Sequence, residues 1–221
     1  MQRAPWPVGL LFGISLIVLI TLVGPLLLFN PWFTSALQQR HEVAPTMGTT
    51  QGDVDRVTGA ILVDLYTDGP FDASLTGDEP LLNERERSHM HDVAVLVRIL
   101  FAVVILSAVV AGVTGAWLRS EPRRQGLIMV AAAGFIGTVA LVLAIVFAVA
   151  FEPAFLAFHA IFFPPGTYLF EPGSDLITLF PEGFWFDAAL AAGATVVIAA
   201  VLVTLVGMRR WRGSVGSADR A

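Results

Sequence analysis

Long apolar runs separated by short polar stretches dominate the chain. Residues 8–29, 93–118, 127–151 and about 184–208 are each continuous enough to cross a bilayer. At about 1.5 Å per residue, some 20 residues span the roughly 30 Å hydrocarbon layer as a helix. Arg98 and Asp187 are the only charged residues inside these runs. A soluble domain does not keep four such stretches so nearly free of charge, so the pattern predicts an all-α membrane protein. Its fold class is a bundle of four transmembrane helices with a small extracytoplasmic cap, forming a single membrane domain over residues 1–221. The cap would be built by residues 30–92, with a second, aromatic outer loop over 152–183. The first run is too long for the apolar core of a cleaved signal peptide and no A-x-A site follows it, so a retained anchor is expected.

Between the runs the period changes. Val54, Val57, Ile61 and Leu65 recur at helical spacing behind Asp53, which predicts an amphipathic helix of about 13 residues lying on the membrane or under the rest of the cap. Asp68-Gly69-Pro70 ends it, while residues 38–50 read as polar loop. The polar segment 81–92 runs without a breaker into the second apolar run, so one helix is expected to continue from cap into membrane. The 152–183 segment is aromatic and apolar around His159, and Pro164-Pro165-Gly166 turns it. A segment so apolar should roof the bundle at the outer leaflet, since irregular backbone at that depth must be covered by protein. No internal repeat is evident, which disfavours a transporter built from inverted halves.

Charge sets the orientation. Arg119, Arg123 and Arg124 lie between the second and third runs, Arg209, Arg210, Arg212 and Arg220 follow the fourth, and Arg3 precedes the first. The 152–183 segment carries acids and no base. The positive-inside rule therefore places both termini in the cytoplasm and the cap outside the cytoplasmic membrane.

Composition then removes chemistry. The chain has no cysteine, which excludes disulfides, thiolate metal sites and a cysteine nucleophile. All 13 basic residues are arginines, so Schiff-base chemistry is closed. G-x-S-x-G, G-x-G-x-x-G and P-loop patterns are absent, and no basic patch suits nucleic acid.

The four histidines are what remains. His41 lies in polar loop and is read as solvated. His89 and His91 sit about 200° apart on a helix and cannot share a metal ion. Glu86, His89 and Asp92 fall on one face, where a carboxylate can fix a tautomer and raise the basicity of the ring. Arg98 reads either as snorkelling to lipid phosphate or as pairing with Asp92, Glu182 or a substrate head group. His159, among Phe155, Phe158, Phe162 and Phe163, is a titratable group that is costly to bury without a partner.

At these residues the chain resembles a known family. The run from Glu84 through His89, Met90 and Asp92 to Val93 is similar to the family's E-x-x-H-M-x-D-V segment. Phe158-His159-Ala160-Ile161-Phe162-Phe163, followed by Tyr168, Glu171-Pro172, Asp175, Pro181-Glu182 and Phe184-x-Phe186-Asp187, looks like its second signature. The family is the four-span bacterial membrane proteins that include lipoprotein intramolecular transacylase. The resemblance implies a membrane acyltransferase working at the outer leaflet on a diacylated bacterial lipoprotein. The sn-2 acyl chain of the diacylglyceryl-cysteine would move to the α-amino group of the same cysteine. His89 and His159 would be the catalytic pair, with His89 taken as base and His159 as acid or oxyanion partner, or the two roles exchanged. Glu86, Asp92, Arg98, Phe158, Phe162, Phe163, Tyr168, Glu182 and Trp185 would support them or bind substrate. Nucleophile and ester share one molecule, so the resemblance implies no cofactor, no metal and no covalent enzyme intermediate. A non-enzymatic membrane protein whose cap binds lipid or a partner protein is the alternative.

Overall fold

The computed structural model describes residues 4–213 and is all helical there. In chain order the helices are α1 (Trp6–Leu27), α2 (Pro31–Arg40), α3 (Val43–Thr46), α4 (Gln51–Thr67), α5 (Glu84–Leu118), α6 (Pro122–Val149), α7 (Phe151–Phe162), α8 (Asp175–Leu179) and α9 (Glu182–Gly213). Arg3 and Arg220, used above for orientation, lie outside the described residues.

Four of these helices, α1, α5, α6 and α9, are long and apolar enough to cross a membrane. They correspond to the four apolar runs, with ends that shift by up to nine residues. The largest shift is in α5, which begins at Glu84 rather than at Val93. Its 35 residues extend about 52 Å, well beyond the hydrocarbon thickness. The charged stretch 84–92 is therefore the surplus length of the second span, in helical form from the start. Asn83 starts it: its Oδ1 accepts from the N–H of Arg85 and Glu86 at 3.0 and 3.1 Å.

The chain forms two compact units. One contains the described residues up to Leu26, Phe101–Ile145 and those from Ala192 onward. Its interior is small-to-medium apolar packing, with Ile20, Ala133, Ile136, Ala140, Val196 and Ala200 in one cluster and Val8, Phe12, Leu118 and Met129 in another. Ile105, Leu106, Val201 and Leu202 are exposed, as expected where the solvent is lipid. Helices α6 and α9 cross at glycines: a Cβ on Gly126 would lie 2.4 Å from the Gly207 carbonyl oxygen. Such close backbone approach is how helices associate where burial from water gives no driving force. The turn arginines are engaged here. Arg124 donates to the Ala4 carbonyl at 2.6 Å and to Glu121, and Arg210 donates to Gln125 at 2.7 Å.

The other unit contains Leu27–Leu100 and Val146–Ala191. Val54, Val57, Ile61 and Leu65 of α4 are buried in its core with Val43, Phe71, Leu82, Met90, Leu176 and Leu179. The amphipathic face thus packs under the rest of the unit. Thr50, not Asp53, caps α4, accepting from the Asp53 N–H. Residues 38–50 are not an open loop. They hold the end of α2 and all of α3, and Gln38 is buried with hydrogen bonds to Thr58 and the Leu179 carbonyl. The 152–183 segment departs most from expectation. It opens with the 12-residue helix α7, where an irregular outer loop is expected from the sequence. Pro153 is tolerated because it falls in the first turn. Gly166, at φ +85°, supplies the left-handed residue that reverses the chain after Pro164-Pro165.

Candidate active site

His89 projects from α5 and is buried. His159 projects from α7 and is half-buried. Their ring centroids lie 6.1 Å apart at an interplanar angle of 31°. Two histidines 70 residues apart in sequence therefore share one site within the second unit.

Aromatic rings wall the pair. Phe163 is common to both, 4.9 Å from the His89 ring and 5.6 Å from that of His159. Phe170 lies 5.6 Å from His89. Phe155 and Tyr168 lie 4.2 and 5.3 Å from His159. Trp185 stands behind, 6.1 Å from Phe155. Phe158 and Phe162 pack on each other at 4.8 Å and are exposed, with Phe158 also edge-on to His159. All of these are singled out from the sequence as site or neighbouring residues except Phe170, which lies two residues beyond Tyr168 in irregular chain.

The two imidazoles differ in bonding. His159 Nδ1 lies 2.8 Å from the Phe155 carbonyl oxygen. A carbonyl only accepts, so Nδ1 carries the proton and Nε2 is left with its lone pair. Burial outweighs that bond and holds His159 below the ordinary imidazole value of 6.5. His89 Nδ1 is buried without a hydrogen-bond partner.

Several expectations about the surroundings need correction. Glu86 shares a face with His89, yet its carboxylate is fully buried and spent on main chain. It accepts from the N–H groups of Asn83 and Leu176, each at 2.9 Å, and does not orient the imidazole. Arg98 pairs with Asp68 at 2.8 Å instead of with Asp92 or Glu182. Asp68 is brought there by its left-handed conformation at the end of α4, which spacing along α5 cannot reveal. Asp92 lines a shallow depression with Pro70, Glu84, Arg87, Ser88 and His91, around the helix from His89. His91 rests edge-on against Phe71 at 5.0 Å, so the angular separation of His89 and His91 holds. Glu182 is exposed in the first turn of α9. His41 is not solvated: its Nε2 lies 2.9 Å from Asp187, which also pairs with Arg40. Among the described residues no three acids or histidines gather as a metal site. Arg85, which the sequence reading passes over, donates to the Gly166 and Leu169 carbonyls at 3.4 and 3.3 Å.

A pair of neutral imidazoles in an aromatic enclosure, one with a fixed free lone pair, is suited to moving a proton beside an apolar reactant. Residues 9–185 match the model of the family described as lipoprotein intramolecular transacylase Lit. Among solved structures, the membrane integral lipoprotein intramolecular transacylase Lit from Bacillus cereus aligns with a TM-score of 0.79 at 16% sequence identity, covering 94% of this chain and 96% of that one. A histidine-to-arginine variant of that protein aligns at 0.77 and 17% identity, covering 96% of this chain and 93% of that one. A histidine-to-alanine variant aligns at 0.76 and 16% identity, covering 94% of each. No curated protein sequence matches the chain.

Proposed function

The chain belongs to the lipoprotein intramolecular transacylase family, and from that premise we propose that His89 and His159 are the groups with which it moves an acyl chain within a lipoprotein. The observation that carries this reading is the meeting of two imidazoles from separate segments at 6.1 Å inside an aromatic wall. The substrate is a diacylglyceryl-cysteine lipoprotein. Its sn-2 acyl group passes to the α-amino nitrogen of the same cysteine. In the transfer a C–N bond forms, the ester C–O bond breaks, and one amine proton ends on the sn-2 oxygen. The resting α-ammonium first releases a proton to become the nucleophile.

Tautomers assign the roles. His159, with its proton held on Nδ1 by the Phe155 carbonyl, offers Nε2 as the base that takes the amine proton and returns it to the leaving sn-2 oxygen. His89 keeps its buried Nδ1 unprotonated, because an orphaned N–H costs more than an orphaned lone pair. Its Nε2–H is then available to the oxyanion of the tetrahedral intermediate. This is the reverse of taking His89 as base. The aromatic rings fold the substrate so that amine and ester meet, a proximity effect that needs no enzyme nucleophile. By the positive-inside rule, Arg119, Arg123 and Arg124 favour a cytoplasmic connection between the second and third apolar runs, and such an orientation would suit a reaction at the outer leaflet, where such lipoproteins lie.

The test is mass spectrometry of lipoprotein N-terminal peptides from a bacterial host that lacks this activity. With the wild-type chain they gain an N-acyl group and lose the sn-2 ester, while His89→Ala and His159→Ala leave them diacylated on glycerol. An N-terminal peptide unchanged by the wild-type chain rejects the reading. Intact conversion by both alanine variants would instead favour a cap that binds lipid or a partner without catalysis.

A further inference from the structure

Two adjacent residues of α5 hold both ends of a segment that carries part of the aromatic wall. Arg85 donates to the Gly166 and Leu169 carbonyls, and Glu86 Oε1 accepts from the Leu176 N–H. Between these anchors lie Tyr168, against His159, and Phe170, against His89. His89 itself stands one turn along α5 from the anchoring residues. The segment and the first imidazole thus hang from the same helical turn.

Asn83 and Glu86 form a capping box, with Asn83 Oδ1 accepting from the Glu86 N–H and Glu86 Oε2 accepting from the Asn83 N–H. Glutamine serves equally well at the last position of such a box, and it spares the cost of burying a charge. Glu86 is fully buried all the same. A glutamine has one acceptor oxygen, whereas here both oxygens receive an N–H, one from the cap and one from Leu176. Helix capping alone does not require the carboxylate, but holding the segment at Leu176 as well does.

We propose that Arg85 and Glu86 are positioning residues for acyl transfer: they strap residues 166–176 across the His89–His159 pair, so that Phe170 and Tyr168 hold substrate against both rings. The inference rests on the acyl-transfer reading above. Neither residue touches the reacting atoms. Each acts through the strap, and because they hold the same strap their losses are coupled.

The experiment uses the full-length chain in detergent or nanodiscs with a synthetic diacylated lipopeptide. Arg85→Ala is the principal variant, since Arg85 is exposed and its removal leaves the core intact. Misplacing reactive groups by about 1 Å costs up to roughly a hundredfold, so kcat is expected to fall on the order of tenfold or more in Arg85→Ala and in Glu86→Gln. Arg85→Lys should recover part of the loss. The double variant should lose clearly less than the product of the two single losses. A midpoint for His159, followed by imidazole NMR, should move up toward 6.5 in Arg85→Ala as the opened strap admits water. Single variants with kcat within twofold of wild type overturn the inference, as does a double loss equal to the product. His89→Ala and His159→Ala run beside them: if these stay active, the acyl-transfer reading has failed. If they are dead while the strap variants are unimpaired, only the strap has failed.

Discussion

The His159 imidazole donates from Nδ1 to the Phe155 carbonyl one turn earlier on the same helix, at 2.8 Å. This local bond decides which nitrogen is free, and it requires no residue outside α7. It also favours the protonated ring, in opposition to burial, and burial prevails. Imidazole NMR on the labelled protein should therefore show His159 titrating below 6.5. The sign for stability follows from linkage. The unfolded ring binds its proton near 6.5 and the folded ring only at lower pH, so the folded state loses stability as pH drops below 6.5. Stability is unaffected by this group above that value. His159→Asn should flatten the acid side of the stability profile, and an unchanged acid slope in that variant contradicts the assignment.

Phe163 packs on both imidazoles and is buried. Replacing it with leucine removes part of a buried ring and should cost less than the roughly 3–5 kcal/mol of truncating a core phenylalanine to alanine. Loss of the shared wall should nevertheless reduce acyl transfer more than stability. Thermal unfolding and lipopeptide turnover on one preparation separate the two. Near-wild-type turnover in Phe163→Leu would show that the rings need no common spacer.

How much of this was legible follows from how local each signal is. The four spans are read from apolar run length, which no tertiary contact needs to supply. His159 stands out because a titratable ring among apolar neighbours is conspicuous in one dimension, and His89 because helical spacing puts it on one face with Glu86 and Asp92. The errors concern partners brought from far away. Arg98 meets Asp68 because the end of α4 turns left-handed, and His41 meets Asp187 across 146 positions. Helical spacing correctly places Glu86 on the His89 face, but a face does not say which acceptor is already engaged. Helix α7 was missed for another reason: at 12 residues it is too short to stand out as a span, and its aromatic residues read as a membrane-facing loop.

In the first unit the α6–α9 crossing tests whether glycine contact holds the spanning helices. A Cβ on Gly126 would meet the Gly207 carbonyl at 2.4 Å and the Trp211 nitrogen at 2.8 Å, both backbone atoms. The helices must separate to admit it, which typically costs about 1–3 kcal/mol as overpacking. Gly126→Ala should lower the unfolding temperature in detergent, and Gly134→Ala, which has open space, should not. Equal effects at the two positions would place the crossing elsewhere.

His41 offers the most specific test of the second unit. Its ring is tied to Asp187 at 2.9 Å and lies over Gly183, where an added Cβ would come within 2.5 Å of Cε1. The pair holds the end of α2 to the first turns of α9, from which Trp185 backs Phe155. A methyl at position 183 must push the imidazole away, so Gly183→Ala should break the hydrogen bond as well as crowd the ring. Removing the ring by His41→Ala costs one hydrogen bond, about 0.5–1.5 kcal/mol, but it also clears the space. The two changes should therefore be strongly non-additive: Gly183→Ala destabilises the wild-type background and is nearly neutral in the His41→Ala background. Unfolding free energies of the two singles and the double close the cycle. Simple additivity would mean that His41 does not occupy the space over Gly183.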